Sequence, residues 1–129
     1  MTAKCAHCGG DCELTDGIEI YGHREDLWNL NFWICRKCDA YVGCHKNGDF
    51  KTPLGTAANR ELRTLRSHIH AVVDPAWKFY GYKRSQVYSI LTVQYQRLYK
   101  TDDSYHTANL NLAEARTMLE VAKDNFDFS

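Results

Sequence analysis

The period of the apolar positions changes along the chain, and each change predicts an element. Ile18 and Ile20 flank Glu19 in the alternation of a half-buried strand, and Asp16-Gly17 gives a turn signal between them and Cys12-Glu-Leu-Thr. Residues 22–26 are polar and predict a loop. Residues 28–34 are apolar and aromatic, the pattern of a buried strand delivering Cys35, and Tyr41-Val42 continues the strand pattern. Residues 46–55 are dense in turn formers and predict a loop.

Beyond that loop the period lengthens. Ala58, Leu62, Leu65, Ile69 and Val72 step by four and three, which is one face of a helix. Thr52 or Thr56 would cap this helix, Pro53 suits its first position, and Asp74-Pro75 would end it, because the residue before proline avoids helical geometry. Residues 76–82 hold Trp77, Phe79, Tyr80 and Tyr82 and predict an irregular aromatic connection. A second helix, capped by Ser85, would bury Val87, Ile90, Leu91, Tyr95 and Leu98, although its β-branched residues also suit a strand. Thr101-Asp-Asp-Ser predicts a loop. A last helix starts near Asn111, with Glu114 in capping-box position and a stripe of Leu112, Ala115, Leu119 and Ala122. The acidic tail 124–129 is expected to fray.

The cysteines turn the strand half into a metal candidate. Cys5-Ala-His-Cys8 and Cys35-Arg-Lys-Cys38 are two Cys-x-x-Cys pairs in the first third of a 129-residue chain. Two residues between cysteines let both thiolates of a tight turn face one ion, and four sulfurs in a tetrahedron suit zinc. The expectation is one structural Zn²⁺ held by Cys5, Cys8, Cys35 and Cys38, a closed shell with no position for water. Cys12, Cys44, His7, His23 and His45 lie near enough in sequence to replace a ligand. Cys12 reads better as a buried strand residue. The opening residues carry no apolar run and no stretch of eighteen apolar residues exists, so neither a signal peptide nor a membrane span is expected. Six cysteines without a secretion signal read as reduced thiols and metal ligands, which places the protein in the cytoplasm.

The formal net charge of zero conceals segregation. Residues 1–59 carry six basic and eight acidic side chains, residues 60–100 eight and two, and residues 101–129 two and six. A zinc on four thiolates would add negative charge to the first segment, offset by Lys4, Arg36 and Lys37. The middle segment alone suits a polyanion. On its first helix Asn59, Arg63, Arg66, His70 and Asp74 fall on one sector beside the apolar face. Arginines one turn apart present forked donors to phosphate, and Lys83 and Arg84 would extend the patch. The plainer reading of that sector is a solvated flank with an internal His70–Asp74 pair. His45, His70, Asp74 and His106 could form a second, open metal site of hydrolytic type, though only His70 and Asp74 are neighbours by helical geometry. The aromatics of residues 77–99 sit among cations as in single-strand binders, but at helical spacing they read mostly as core.

Several stretches together resemble a family found in bacteriophages and prophages, the zinc-finger-containing domain of unknown function. They are Cys35-Arg-Lys-Cys38-Asp-Ala-Tyr-Val-Gly-Cys-His45, Pro53-Leu-Gly-Thr56, Arg63-x-x-Arg66 leading to His70 and Asp74-Pro-x-Trp77, Arg84 with Tyr88, and His106 before the last helix. The resemblance runs from Cys5 to about Ala122 and implies a phage or prophage source, but no activity. A tryptophan usual in the second helix is absent at Ser89-Ile90-Leu91. Tyr105 and Ala115 stand where cysteines often do, which argues against a late metal-binding cysteine.

The sequence therefore reads as an α+β protein, with an N-terminal zinc ribbon of short β-hairpins over residues 1–50 packed on about three C-terminal α-helices over 51–129 in one compact unit. The leading function is a binding module in the bacterial cytoplasm, directed at nucleic acid or at a host protein that handles nucleic acid, with Arg63, Arg66, Lys83 and Arg84 as contacts. The alternatives are a metal-dependent hydrolase or nuclease using His45, His70, Asp74 and His106, and a protein-directed inhibitor of a host enzyme.

Overall fold

The computed structural model describes residues 2–126, so the last three positions of the acidic tail lie outside the described residues. The chain is α+β, with a small antiparallel sheet ahead of three long helices. It divides between Glu61 and Leu62 into two compact units. No helix among the described residues is long and apolar enough to cross a membrane.

The first unit is built on three strands, β1 (Glu13–Asp16), β2 (Asn31–Cys35) and β3 (Ala40–Gly43), in the order β1-β2-β3. The apolar run around residue 33 is the central strand, paired on both edges and covered on both faces. One face carries Trp33, Cys35, Ala40 and Val42 against Ala3, Cys5, Cys12 and Ala57. On the other, Phe32 meets the rings of Tyr21 and Tyr41, whose hydroxyls bond at 2.7 Å.

The strand expected over residues 18–21 is instead a one-turn helix, α1 (Gly17–Ile20). Asp16 accepts the N–H groups of Ile18 and Glu19 at 3.1 and 3.3 Å, and Thr15 donates to the Glu19 carboxylate at 2.6 Å. These local bonds outweigh the weak alternation of two isoleucines, and Ile18 is left 55% exposed. Gly17 is required by close approach, since a Cβ there would lie 1.7 Å from the Leu27 carbonyl oxygen.

Residues 51–59 do not begin a helix at Pro53. They form a bent segment held by the bridges Cys44↔Pro53, Tyr41↔Ala58 and Cys5↔Ala57. The helix starts later and runs further than expected, as α2 (Arg60–Phe79), with Pro75 inside it. Proline removes the donor that would serve the Ala71 carbonyl, but Ala71 is exposed and water can take that place. Trp77 Nε1 donates to Asp74 Oδ1 at 3.3 Å across the proline.

In the second unit α3 (Arg84–Tyr99) is a helix rather than a strand, and it packs on α4 (Leu112–Phe126). Its start is capped by Gln86, which accepts the Lys83 N–H at 2.8 Å, and not by Ser85. Val87 and Leu91 are buried as expected, while Leu98 is exposed. The capping box of α4 forms reciprocally, with Asn111 N–H on the Glu114 carboxylate at 3.0 Å and Glu114 N–H on Asn111 Oδ1 at 2.8 Å. The stripe on α4 buries Ala115, Met118, Leu119, Ala122 and Phe126.

Candidate metal centre

Each Cys-x-x-Cys pair is carried by the tip of a hairpin. The first lies between the bridged Lys4 and Asp11, and the second between Cys35 and Ala40 where β2 turns into β3. Both turns need a left-handed residue directly after the second cysteine. Gly9 supplies it in one, at φ +73°, and Asp39 in the other, at φ +52°. Aspartate tolerates this region better than most residues, so the second turn lacks the glycine that marks the first.

The four Sγ atoms of Cys5, Cys8, Cys35 and Cys38 lie within 4.8 Å of one another, and Cys8 and Cys35 stand 3.8 Å apart. Sulfurs placed about 2.3 Å from a central ion in a tetrahedron stand roughly 3.8 Å from each other. The quartet therefore fits one tetrahedral ion, and its separations are far too long for disulfides. Backbone amides aim at the sulfurs, His7 N–H at Cys5 and Gly10 N–H at Cys8, each at 3.4 Å. The Gly10 amide, followed by the Cys35 contact, lowers the Cys8 thiol to about 7. Burial, followed by the neighbouring sulfurs, pushes Cys38 up to about 12. Thiolates this close repel, and a cation at their centre removes the conflict. The chemistry of such a shell is structural, since all four positions are sulfur.

His7 is not a ligand. Its Nε2 accepts the Asn59 amide at 3.0 Å and ties the first turn to the bent segment. That segment runs between the two metal-bearing turns. Ala57 N–H donates to the Lys4 carbonyl and Ala6 N–H to the Ala57 carbonyl, while Ala58 exchanges both backbone bonds with Tyr41. His7→Ala is expected to lower stability by about 1 kcal/mol through the lost acceptor, with metal content unchanged. Thermal melting with elemental analysis checks both, and a fall in bound metal would make His7 a ligand after all.

Cys12 is buried as expected, and burial pushes its thiol up to about 11. Two of the three cations expected to offset the cluster have local partners, Lys4 pairing with Asp11 and Arg36 with Glu13 and Glu19.

The other sequence candidates are dispersed. Among the described residues, the cysteine quartet is the one group of three or more His, Cys, Asp or Glu ligand atoms that the fold gathers. His45 is exposed in the first unit, beside a cavity of about 220 Å³ lined by Phe32, Phe50 and Leu54. His70 and Asp74 are neighbours on α2 at 3.8 Å. His106 precedes the short turn Thr107–Asn109 and shares a groove with Arg84, a juxtaposition of two candidates that sequence spacing did not reveal. Arg63 and Arg66 are half-buried. Arg66 Nη2 donates to the Leu110 carbonyl at 2.7 Å, and burial lowers its guanidinium to about 10. Lys83 and Arg84 are exposed, with Arg84 lying 4.6 Å over the Tyr88 ring. The aromatics are less buried than their spacing suggested. Phe79 is 78% exposed, and Tyr80, Tyr82 and Tyr99 are exposed as well.

No curated protein and no solved structure matches the chain. Residues 1–125 match one family, described as a zinc-finger-containing domain, which is the family that the cysteine and Tyr-Val-Gly-Cys-His motifs resemble. With a match over nearly its whole length and four cysteines converging on one ion-sized site, the chain belongs to the zinc-finger-containing domain family.

Proposed function

We propose that the protein is a zinc-stabilised binding module whose partner is nucleic acid. The metal would be zinc, since four thiolates at tetrahedral spacing are a soft, closed donor set. A closed shell leaves the metal a scaffolding role and leaves function to the protein surface. One observation carries the partner: residues 75–100 contain no aspartate or glutamate, and their Lys78, Lys83 and Arg84 are all exposed. Such a surface attracts a polyanion without competing carboxylates of its own segment.

The test is fluorescence anisotropy at low salt with a labelled hairpin oligonucleotide that offers both duplex and loop. Binding is expected at micromolar protein, weakening with salt along a slope of about −2 to −3, as neutralising some three phosphates requires. Lys83→Glu with Arg84→Glu is expected to abolish it while leaving the melting temperature near wild type. Absence of binding by the metal-loaded wild type, or unchanged binding by the double variant, would overturn the reading.

A further inference from the structure

The corner between α2 and α3 exposes two large aromatic rings side by side in sequence. Phe79 ends α2 at 78% exposure and Tyr80 follows at 55%. Large rings in water commonly mark a binding surface. The corner is not a loose loop. Gly81 turns the chain at φ +81°, and the amides of Tyr80 and Tyr82 both return to the Ala76 carbonyl, at 3.3 and 3.1 Å. Tyr82 is held from behind by an edge-to-face contact with Phe126 at 6.0 Å. Cations flank the rings on both sides, with Lys78 ahead of Phe79, Tyr80 and Tyr82 and Lys83-Arg84 after them. Lys78 Nζ lies 5.2 Å over the Trp77 ring and Arg84 4.6 Å over that of Tyr88, so two of these charges are held against aromatic faces. A groove of about 730 Å³ leads from Tyr80 and Tyr82 along Ser85, Gln86 and Ser89 at the start of α3.

We propose that this corner is a stacking platform for single-stranded nucleic acid. Phe79 and Tyr80 take bases, and Lys78, Lys83 and Arg84 take the phosphates between them. The proposal rests on the nucleic-acid reading above and adds the place and the form of the ligand. Unpaired bases use both the rings and the cations. A duplex has its bases already stacked and would use the cations alone. A second copy of the corner would bring like charges together. A lipid surface would want aliphatic side chains beside the rings, and residues 78–84 contain none.

The test uses the full metal-loaded chain and anisotropy with short oligo-dT, oligo-U and a duplex of the same length. The single strands are expected to bind at least about tenfold tighter than the duplex, and a preference between dT and U identifies DNA or RNA as the natural strand. Phe79→Ala with Tyr80→Ala is expected to cost at least about tenfold in affinity, since each stacked base contributes a factor of roughly five or more. The salt slope should stay unchanged, because no phosphate contact is lost. Phe79→Trp with Tyr80→Trp should retain binding, and all variants should melt near wild type. If the alanine variant binds like wild type, or duplex binds as tightly as single strand, the platform is wrong while the nucleic-acid reading stands. If wild type binds no oligonucleotide, both fall. Loss of self-association or of binding to phosphatidylserine vesicles in the alanine variant, with oligonucleotide binding intact, would reassign the corner to a second copy or to lipid and overturn the platform.

Discussion

Replacing Cys35 or Cys38 with serine is expected to unfold the N-terminal unit. The buried cluster of that unit consists of Ala3, Cys5, Cys12, Trp33, Cys35, Ala40, Val42 and Ala57. Only Trp33 among them is large, and two members are themselves ligands. A unit of this size buries too little apolar surface to fold securely without help. Binding of a structural zinc contributes about 10–16 kcal/mol near neutral pH, comparable with the whole stability of an ordinary domain. Serine offers a hydroxyl in place of a thiolate and leaves three sulfurs around the ion. Elemental analysis should find one zinc per wild-type chain, and hydrogen exchange should show protection lost across the three strands in either variant. Wild-type protein purified without chelator and carrying no metal would end the structural-metal reading, as would a Cys38→Ser protein whose β2 amides remain protected.

Phe126→Ala is expected to cost the C-terminal unit about 3 kcal/mol, the lower end of the range for deleting a buried phenylalanine. Phe126 is among the largest fully buried side chains, although it stands near the end of the chain. A helix end can settle partly into the space left behind, which keeps the cost from the upper end of the range. The variant also takes away the ring behind Tyr82. Denaturant midpoints measure the effect, with Asp124→Ala as an exposed control expected to stay within about 0.5 kcal/mol of wild type. A Phe126→Ala protein that unfolds together with that control would show that the end of α4 is not anchored.

What was legible in the sequence was whatever a local period or spacing encodes. The Cys-x-x-Cys pairs gave the metal centre, the apolar run before Cys35 gave the central strand, and Asn111 with Glu114 gave the start of α4. What escaped depended on particular bonds or on partners far along the chain. Asp16 wins residues 17–20 for a helix by accepting two amides. Pro75 is carried inside α2 because the lost bond falls at an exposed position. Ala57 and Ala58 look like the start of an amphipathic helix, yet they bridge to Cys5 and Tyr41, far back along the chain, and both are fully buried. Phe79 was read as part of an irregular connection, whereas it ends α2, because Asp74-Pro75 looked like a stop. The excess of basic over acidic residues in 60–100 and the aromatics among its cations were the sequence signals that pointed to this segment.

The short bridged piece at Ala57 and Ala58 has a consequence for the order of assembly during synthesis. All four sulfurs exist once Cys38 has been made, whereas the piece that joins the two turns is still to come. The ion can therefore be captured by an incomplete unit. Once held, it cross-links Cys5 and Cys8 to Cys35 and Cys38 and shortens the loop that the bridge between Cys5 and Ala57 must close. Loop closure across the bare chain would be the slow, entropically costly step, and the metal lowers that cost before the bridge is attempted. Capture of the ion and completion of the unit become separate events in time, with the last arriving segment acting as the latch.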